Sequence, residues 1–237
     1  MEVLIVLGIA VFAGAVVQGV AGLGLGLLAA PVFAFADPRL LPATLLTVTV
    51  LLPALSVARE RAHVDWTGLA WAVAGRLPGN VLGAFAVVAL PPASLSVLVG
   101  VAVLVGVAAS VLRWRPEPRP ASLVTAGVVS GVFGTATTVG GPPVAMLYQH
   151  ASGPRIRSTL AAYFLVGTVT SLATLAAAGE VRAAHLATGA LLLPFLVAGF
   201  LVSGPLRRHV DAGRMRAAVL SVSALSAVAL LVRAVVG

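Results

Sequence analysis

The sequence contains no cysteine and no lysine, and only 9% of its 237 residues are charged. Without cysteine there can be no disulfide, thiolate metal site or redox-active thiol. The four histidines are scattered and form no metal-binding cluster, so no metal and no cofactor is expected. A water-soluble domain of this size carries roughly 25% charged residues, and a chain with so few cannot cover a water-facing surface. What it has instead is 60% hydrophobic residues. That composition reads as an all-α polytopic membrane protein whose surroundings are the lipid bilayer. An outer-membrane barrel would need alternating segments of about ten residues, and the apolar runs here are continuous.

The formal net charge is +8, and all 15 basic residues are arginine. Nucleic acid is not the partner this implies. The arginines fall mostly in short gaps between apolar runs, where they act as orientation signals. The opening "MEVLIVLGIA" lacks the basic stretch of a signal peptide and reads as retained structure.

Apolar runs fall at 3–36, 40–58, 66–90, 94–112, 121–149, 158–178, 186–206 and 215–236. Most match the roughly 20 residues that cross a hydrocarbon core of about 30 Å. The first and fifth are too long; 3–36 would extend ~51 Å as one helix at 1.5 Å per residue. Both carry glycines in the middle, "QGVAGLGLG" at 18–26 and "SGVFGTATTVGG" at 130–141, and both then meet proline, at Pro31 and at Pro142–Pro143.

Charge decides how these long runs travel. If each crossed once, the arginines would divide about evenly between the two faces. If each is a hairpin, Arg59, Arg61, Arg113, Arg115, Arg119, Arg155, Arg157, Arg207, Arg208, Arg214 and Arg216 share one face, against Arg39, Arg182 and Arg233 on the other. The hairpin reading therefore satisfies the positive-inside rule. It places the basic loops in the cytoplasm and both termini outside.

The two broken segments also match each other. Gly19, Gly22 and Pro31 align with Gly131, Gly134 and Pro143 at a constant offset of 112, and "RLPGNVLGAF" at 76–85 resembles "LLPFLVAGF" at 192–200. The chain thus reads as a first transmembrane repeat at 1–112, a cytoplasmic linker at 113–120 and a second repeat at 121–237. Each repeat is a Gly-broken hairpin followed by about three transmembrane helices. Each hairpin either re-enters or crosses twice; if it re-enters, each repeat has an odd number of full spans and the second runs inverted relative to the first, an arrangement that recurs among secondary transporters.

Breaking a helix in lipid frees backbone N–H and C=O groups, each costly unless protein or a polar cavity satisfies it. A helix restarting after the break directs its N–H groups, at the positive end of its dipole, into that cavity. The expectation is that 18–26 and 134–141 are non-helical and close together, forming an anion site. Its candidate residues are Gln18, Gly19, Gly22, Gly24, Gly26, Gly131, Gly134, Thr135, Thr137, Thr138, Gly140 and Gly141. Arg76 is the one arginine well inside an apolar run; its guanidinium suits oxyanions, and Asn80 lies one turn further on. Trp66 and Trp71 read as interfacial anchors, and Asp65 as a solvated loop charge. Tyr148, Gln149 and His150 read as interfacial residues closing the second broken segment. Gly14, Gly100 and Gly106 read as helix-packing positions.

An intramembrane enzyme would need a nucleophile with a base, or paired carboxylates. The spans hold no such cluster, so the chain is not read as an enzyme. A non-transporting scaffold, or a subunit of a larger complex, remains the alternative to transport, and the oligomeric state stays open.

Two Gly-rich breaks in this order and at this length, "GVAGLGLGLLAAP" and "GVFGTATTVGGPP", resemble the sulfite exporter TauE/SafE family of bacterial membrane transporters. In that family each half opens with a stretch of the type G-x-x-G-x-G-G-G followed by proline. The first copy here is thinner in glycine, and the second is rich in threonine. The resemblance implies a secondary transporter, an exporter, of a small anion such as sulfite or an organosulfonate. It implies the bacterial inner membrane as the location and the Gly-rich segments as the site.

Overall fold

A computed structural model describes residues 2–22, 24–111, 117–206 and 212–236, with the side chains of 21, 59, 60, 212–216, 235 and 236 set aside. Residues 113–116 of the expected linker lie outside the described residues. Among the described residues there is no strand, and the elements are α1 (Glu2–Ala21), α2 (Leu25–Ala36), α3 (Ala43–Thr49), α4 (Leu51–Glu60), α5 (Trp66–Ala89), α6 (Pro92–Val111), α7 (Pro120–Thr137), α8 (Gly141–Tyr148), α9 (Gly153–Ala177), α10 (Ala183–Leu206) and α11 (Ala212–Val236). Seven of these helices are long and apolar enough to cross a membrane: α1, α5, α6, α7, α9, α10 and α11. Their outer faces are apolar: Val81, Phe85, Leu201 and Leu225 are 60%, 70%, 65% and 71% exposed. That pattern suits lipid and not water.

Both long runs are broken hairpins. The first breaks between α1 and α2, where Gly22 and Gly24 take φ values of +84° and +138°; a side chain at either would strain the backbone. The second breaks after Thr138, which caps α7 in the left-handed region at φ 64°. In the first hairpin, Leu7 and Val11 of α1 share a core with Ala30 and Phe33 of α2. In the second, Leu123 near the start of α7 shares a core with Leu147 and Tyr148 at the end of α8. Each hairpin therefore returns toward the end from which it set out. The non-helical stretches are much shorter than 18–26 and 134–141. Gln18, Gly19, Gly26, Gly134 and Thr135 are all helical, because one or two left-handed residues suffice to reverse the chain. The 40–58 run is also interrupted, at Val50 between α3 and α4. Pro53 lacks the N–H that would bond to the Thr49 carbonyl, and its ring crowds that position.

The principal helix partners come from opposite halves of the chain: α5 packs on α7 and α1 on α10. In the first pair, Gly75, Gly79 and Gly83 of α5 meet the backbone of Val124, Val128 and Val132 of α7, while Gly127 and Gly131 of α7 meet Ala72 and Arg76 of α5. Each position would place a Cβ within 2.6 Å of a carbonyl oxygen, so only glycine lets the two backbones approach this closely. In the second pair, Gly199 rests on Phe12 and Ala15, and Gly19 on Ser203. At one end of the bundle Asp65 joins Arg155 and Thr159. At the other, Arg233 donates to the Phe35 carbonyl at 3.0 Å.

Candidate functional site

The α5–α7 contact carries a buried polar cluster. Arg76 is 4% exposed. Its Nη1 donates to Ser130 Oγ at 3.0 Å and its Nη2 to Ser171 Oγ at 3.4 Å. The guanidinium carbon lies 4.9 Å from the centre of the Tyr163 ring, within the range of cation–π attraction. Two glycines make room for the group: a Cβ at Gly167 would sit 2.3 Å from Cζ, and one at Gly134 2.8 Å from Nη2. Nε and the Tyr163 hydroxyl are buried with no hydrogen-bond partner. The ion pairs among the described residues are Arg119–Glu117 and Arg155–Asp65, so Arg76 has no carboxylate partner among them.

Below Arg76 the cluster continues through Asn80. Its Oδ1 accepts from Thr135 Oγ1 at 3.0 Å, and its Nδ2 donates to Thr170 Oγ1 at 2.9 Å. Thr135 and Ser171 hydroxyls are 2.8 Å apart. Asn80, Thr135 and Ser171 are fully buried, so this network is closed on itself and serves to hold α5, α7 and α9 in register around the guanidinium.

Arg76 lines a cavity of about 70 Å³ bounded by both helix breaks, against the roughly 10–15 Å³ one water needs. Gln18, Gly24 and Gly26 contribute from the first break, and Gly134, Thr138, Gly140 and Gly141 from the second. The breaks touch directly, since a Cβ on Gly26 would lie 2.5 Å from the Thr138 carbonyl oxygen. Gln18 Oε1 accepts the Leu25 N–H at 3.3 Å, which satisfies the first turn of α2 and leaves the amide nitrogen to donate elsewhere. Ser130 Oγ donates to the Gly140 carbonyl, tying the guanidinium's partner to the second break. Of the first-turn amides of α8 only Gly141 and Val144 can donate, because Pro142 and Pro143 have no N–H.

Several of the expected site residues stand elsewhere. Gly131 is a packing glycine against Arg76 and Asn80 backbone, and Gly19 packs on Ser203. Thr137 bonds within its own turn, to the Phe133 carbonyl at 2.6 Å. Gly22 lies outside the lining of the Arg76 cavity. Asn80 and Thr135 support the arginine from behind and do not line the cavity.

The model of the family described as Sulfite exporter TauE/SafE matches residues 6–230. The chain belongs to the TauE/SafE family. A relative from Cupriavidus necator (strain ATCC 17699), described as "Probable sulfite/organosulfonate exporter TauE", is 31% identical over 208 residues, which are 80% of this chain and 78% of the relative. No solved structure matches it.

In this TauE/SafE chain α9 completes the surroundings of Arg76. That helix supplies Tyr163, Gly167, Thr170 and Ser171, a run of small and hydroxyl residues in "AYFLVGTVTSLAT" that was the available signal. Asp65 is also more than a solvated charge. Its carboxylate caps α5 by accepting the Gly68 N–H at 3.1 Å, and it accepts from Tyr148 Oη at 3.1 Å and Arg155 Nη2 at 3.0 Å. Tyr148 is buried at 2% exposure, so it is a tie between halves and not an interfacial residue. Gly14, Gly100 and Gly106 do sit in close contact with Leu25, Leu231 and Leu27 respectively.

Proposed function

We propose that the chain is a secondary transporter that exports a small oxyanion, such as sulfite or an organosulfonate, across the bacterial inner membrane. The observation that carries this reading is Arg76: a buried guanidinium without a carboxylate partner among the described residues, beside a cavity that both helix breaks line. A charge at the centre of a span costs about 2.5–3.5 kcal/mol on insertion scales. Hydroxyls and the Tyr163 ring offset part of that cost, and an exchangeable anion supplies the missing counter-charge. The name of the Cupriavidus necator relative supports the choice of sulfur oxyanions. No coupling ion is required: an inside-negative potential favours outward movement of a monoanion by about 2.3 kcal/mol per 100 mV.

The domain division at 1–112, 113–120 and 121–237, with the second repeat inverted, is part of the same proposal. It is supported by the exchanged helix pairs α1–α10 and α5–α7. The two hairpins also open toward opposite ends, the first toward Arg233 and the second toward Asp65. Asp65 and Arg155 lie together at one end, and Arg233 lies beside Phe35 at the other. This supports cytoplasmic basic loops and termini outside.

Reconstituted alone into liposomes, the chain is expected to move sulfite, sulfate, thiosulfate or methanesulfonate faster than empty vesicles under an imposed potential. Absence of flux for every anion would sink the transporter reading and leave the scaffold alternative standing.

A further inference from the structure

Thr49, Thr138 and Thr168 bring hydroxyls to the wall of the Arg76 cavity. The first two are committed to backbone. Thr49 Oγ1 donates to the Leu46 carbonyl at 3.1 Å, and Thr138 Oγ1 donates to the Thr137 carbonyl. Thr168 differs. It is 7% exposed, and its hydroxyl has no hydrogen-bond partner among the described residues. Thr170 and Thr174 of the same helix each donate to a carbonyl one turn back, at 2.8 Å, the usual way for a helical threonine to satisfy its hydroxyl. A buried hydroxyl that forgoes such a bond carries a desolvation cost unless something else meets it. Unlike the Tyr163 hydroxyl, which is sealed in protein, Thr168 borders the cavity. It follows Gly167, the glycine that makes room for the guanidinium. Phe164, one turn earlier on α9, lines the same cavity.

We propose that Thr168 contacts the transported anion, its hydroxyl meeting a second oxygen of an ion whose first oxygen is held by Arg76. The inference rests on the transporter reading above and deepens it. Arg76 spends one N–H of each terminal nitrogen on Ser130 and Ser171, so each nitrogen keeps a second N–H. The Gln18 amide nitrogen is a further donor on the cavity wall. Donors on α1, α5 and α9 suit an ion with several oxygens about one centre, such as sulfite or the head of an organosulfonate. A hydroxyl can both donate and accept. Thr168 therefore donates to an oxygen of a sulfonate and accepts the O–H of hydrogensulfite, two monoanions that a single guanidinium neutralises. Leu27, Leu46 and Phe164 line the cavity beside these donors and give an apolar wall to a short carbon substituent.

The test is flux of sulfite and of methanesulfonate in proteoliposomes containing the full chain. Thr168→Val keeps the shape of the side chain and removes the hydroxyl. It is expected to raise KM for both anions about tenfold, the value of one charge-assisted hydrogen bond, with the maximal rate within about twofold of the parent. Thr168→Ser keeps the hydroxyl and drops the methyl group, and its KM should stay within about twofold of the parental value. The pair separates a lost hydrogen bond from lost packing. In detergent without anion, the Tm of Thr168→Val should be no lower than the parent's, because no bond within the protein is lost. A parental KM in Thr168→Val, or equal rises in the Val and Ser variants, overturns the contact while leaving transport intact. So does a Thr168→Val protein that is unfolded or several degrees less stable, since its hydroxyl would then serve the fold. A parent that moves neither anion removes the transporter reading and this one with it.

Discussion

The α5–α7 and α1–α10 interfaces are built from helices at matching places in the two halves, yet one is polar and the other is not. Aligning Pro78 with Pro194 sets Arg76 over Leu192 and Asn80 over Leu196. Arg76 and Asn80 are held by hydroxyls of α7 and α9. Leu192 and Leu196 are fully buried in the apolar core with Leu7, Val11 and Ala15. On the facing helices, Ser130 aligns with Gln18 at the offset of 112, and both line or support the cavity. The glycine-mediated packing thus recurs in both interfaces, while the charge is installed on one side only. A single guanidinium can be compensated by one anion; two facing each other would repel across the same small space.

Exchanging the two residues gives the largest effects. Leu192→Arg places an unpaired charge among leucines and valines, and it should lower stability by on the order of 3–5 kcal/mol, read as lost folded yield and a depressed Tm in detergent. Arg76→Leu should change stability by no more than about 1 kcal/mol, since a hydrophobe of similar size can replace a buried ion at little cost. Flux should nevertheless fall about 100-fold, the value of two charge-assisted hydrogen bonds to the anion. An Arg76→Leu protein that transports at the parental rate, or whose Tm still rises with sulfite as the parent's does, would make Arg76 structural and the asymmetry incidental.

Gly167→Ala sharpens the comparison without touching the charge. A Cβ there would meet Cζ of Arg76 at 2.3 Å and Nη1 at 2.7 Å, so the guanidinium must shift or Ser171 and Ser130 must let go. Overpacking of this kind costs about 1–3 kcal/mol. The expected result is a roughly tenfold loss in kcat/KM for sulfite, with Gly199→Ala, which crowds Phe12 in the apolar interface, lowering Tm but not the response of Tm to sulfite. Equal loss of that response in both would mean that general loosening, and not displacement of Arg76, explains the effect.

The contrast between halves was only partly legible in sequence. Run lengths, the two glycine clusters and the arginine distribution disclosed a helical membrane protein with two broken hairpins, because lipid leaves the backbone few alternatives. Arg76 stood out for the same reason, as an ionisable group far from any loop. The extent of the breaks did not, because a cluster of glycines does not say which one or two turn left-handed. The partition of glycines between cavity and packing was equally hidden. Gly131 and Gly134 sit three residues apart, one against the α5 backbone and the other against the guanidinium. Tyr163, Gly167 and Ser171 belong to a helix that looks like any other small-residue span until it is placed beside α5.

The smallest effect concerns the tie between the halves at the Asp65 end. Burial pushes the Asp65 carboxyl up, but bonds from the Gly68 N–H, Arg155 and Tyr148 outweigh it and hold the pKa below the ordinary 3.8. A group whose folded pKa is depressed contributes stability that is present above its unfolded pKa and lost as pH falls through the folded value. The Asp65 contribution should therefore be complete at neutral pH, begin to fade near 3.8 and be gone below the folded pKa. Asp65→Asn removes the charge at all pH values but keeps an N-cap side chain. Its Tm should lie a few degrees below the parent's at pH 7, because Arg155 is half exposed and water screens the pair. The two Tm curves should converge as pH is taken toward 3. Curves that stay parallel down to pH 3 would mean that the carboxylate charge contributes nothing, and that only the cap and the Tyr148 contact join the two halves at this end.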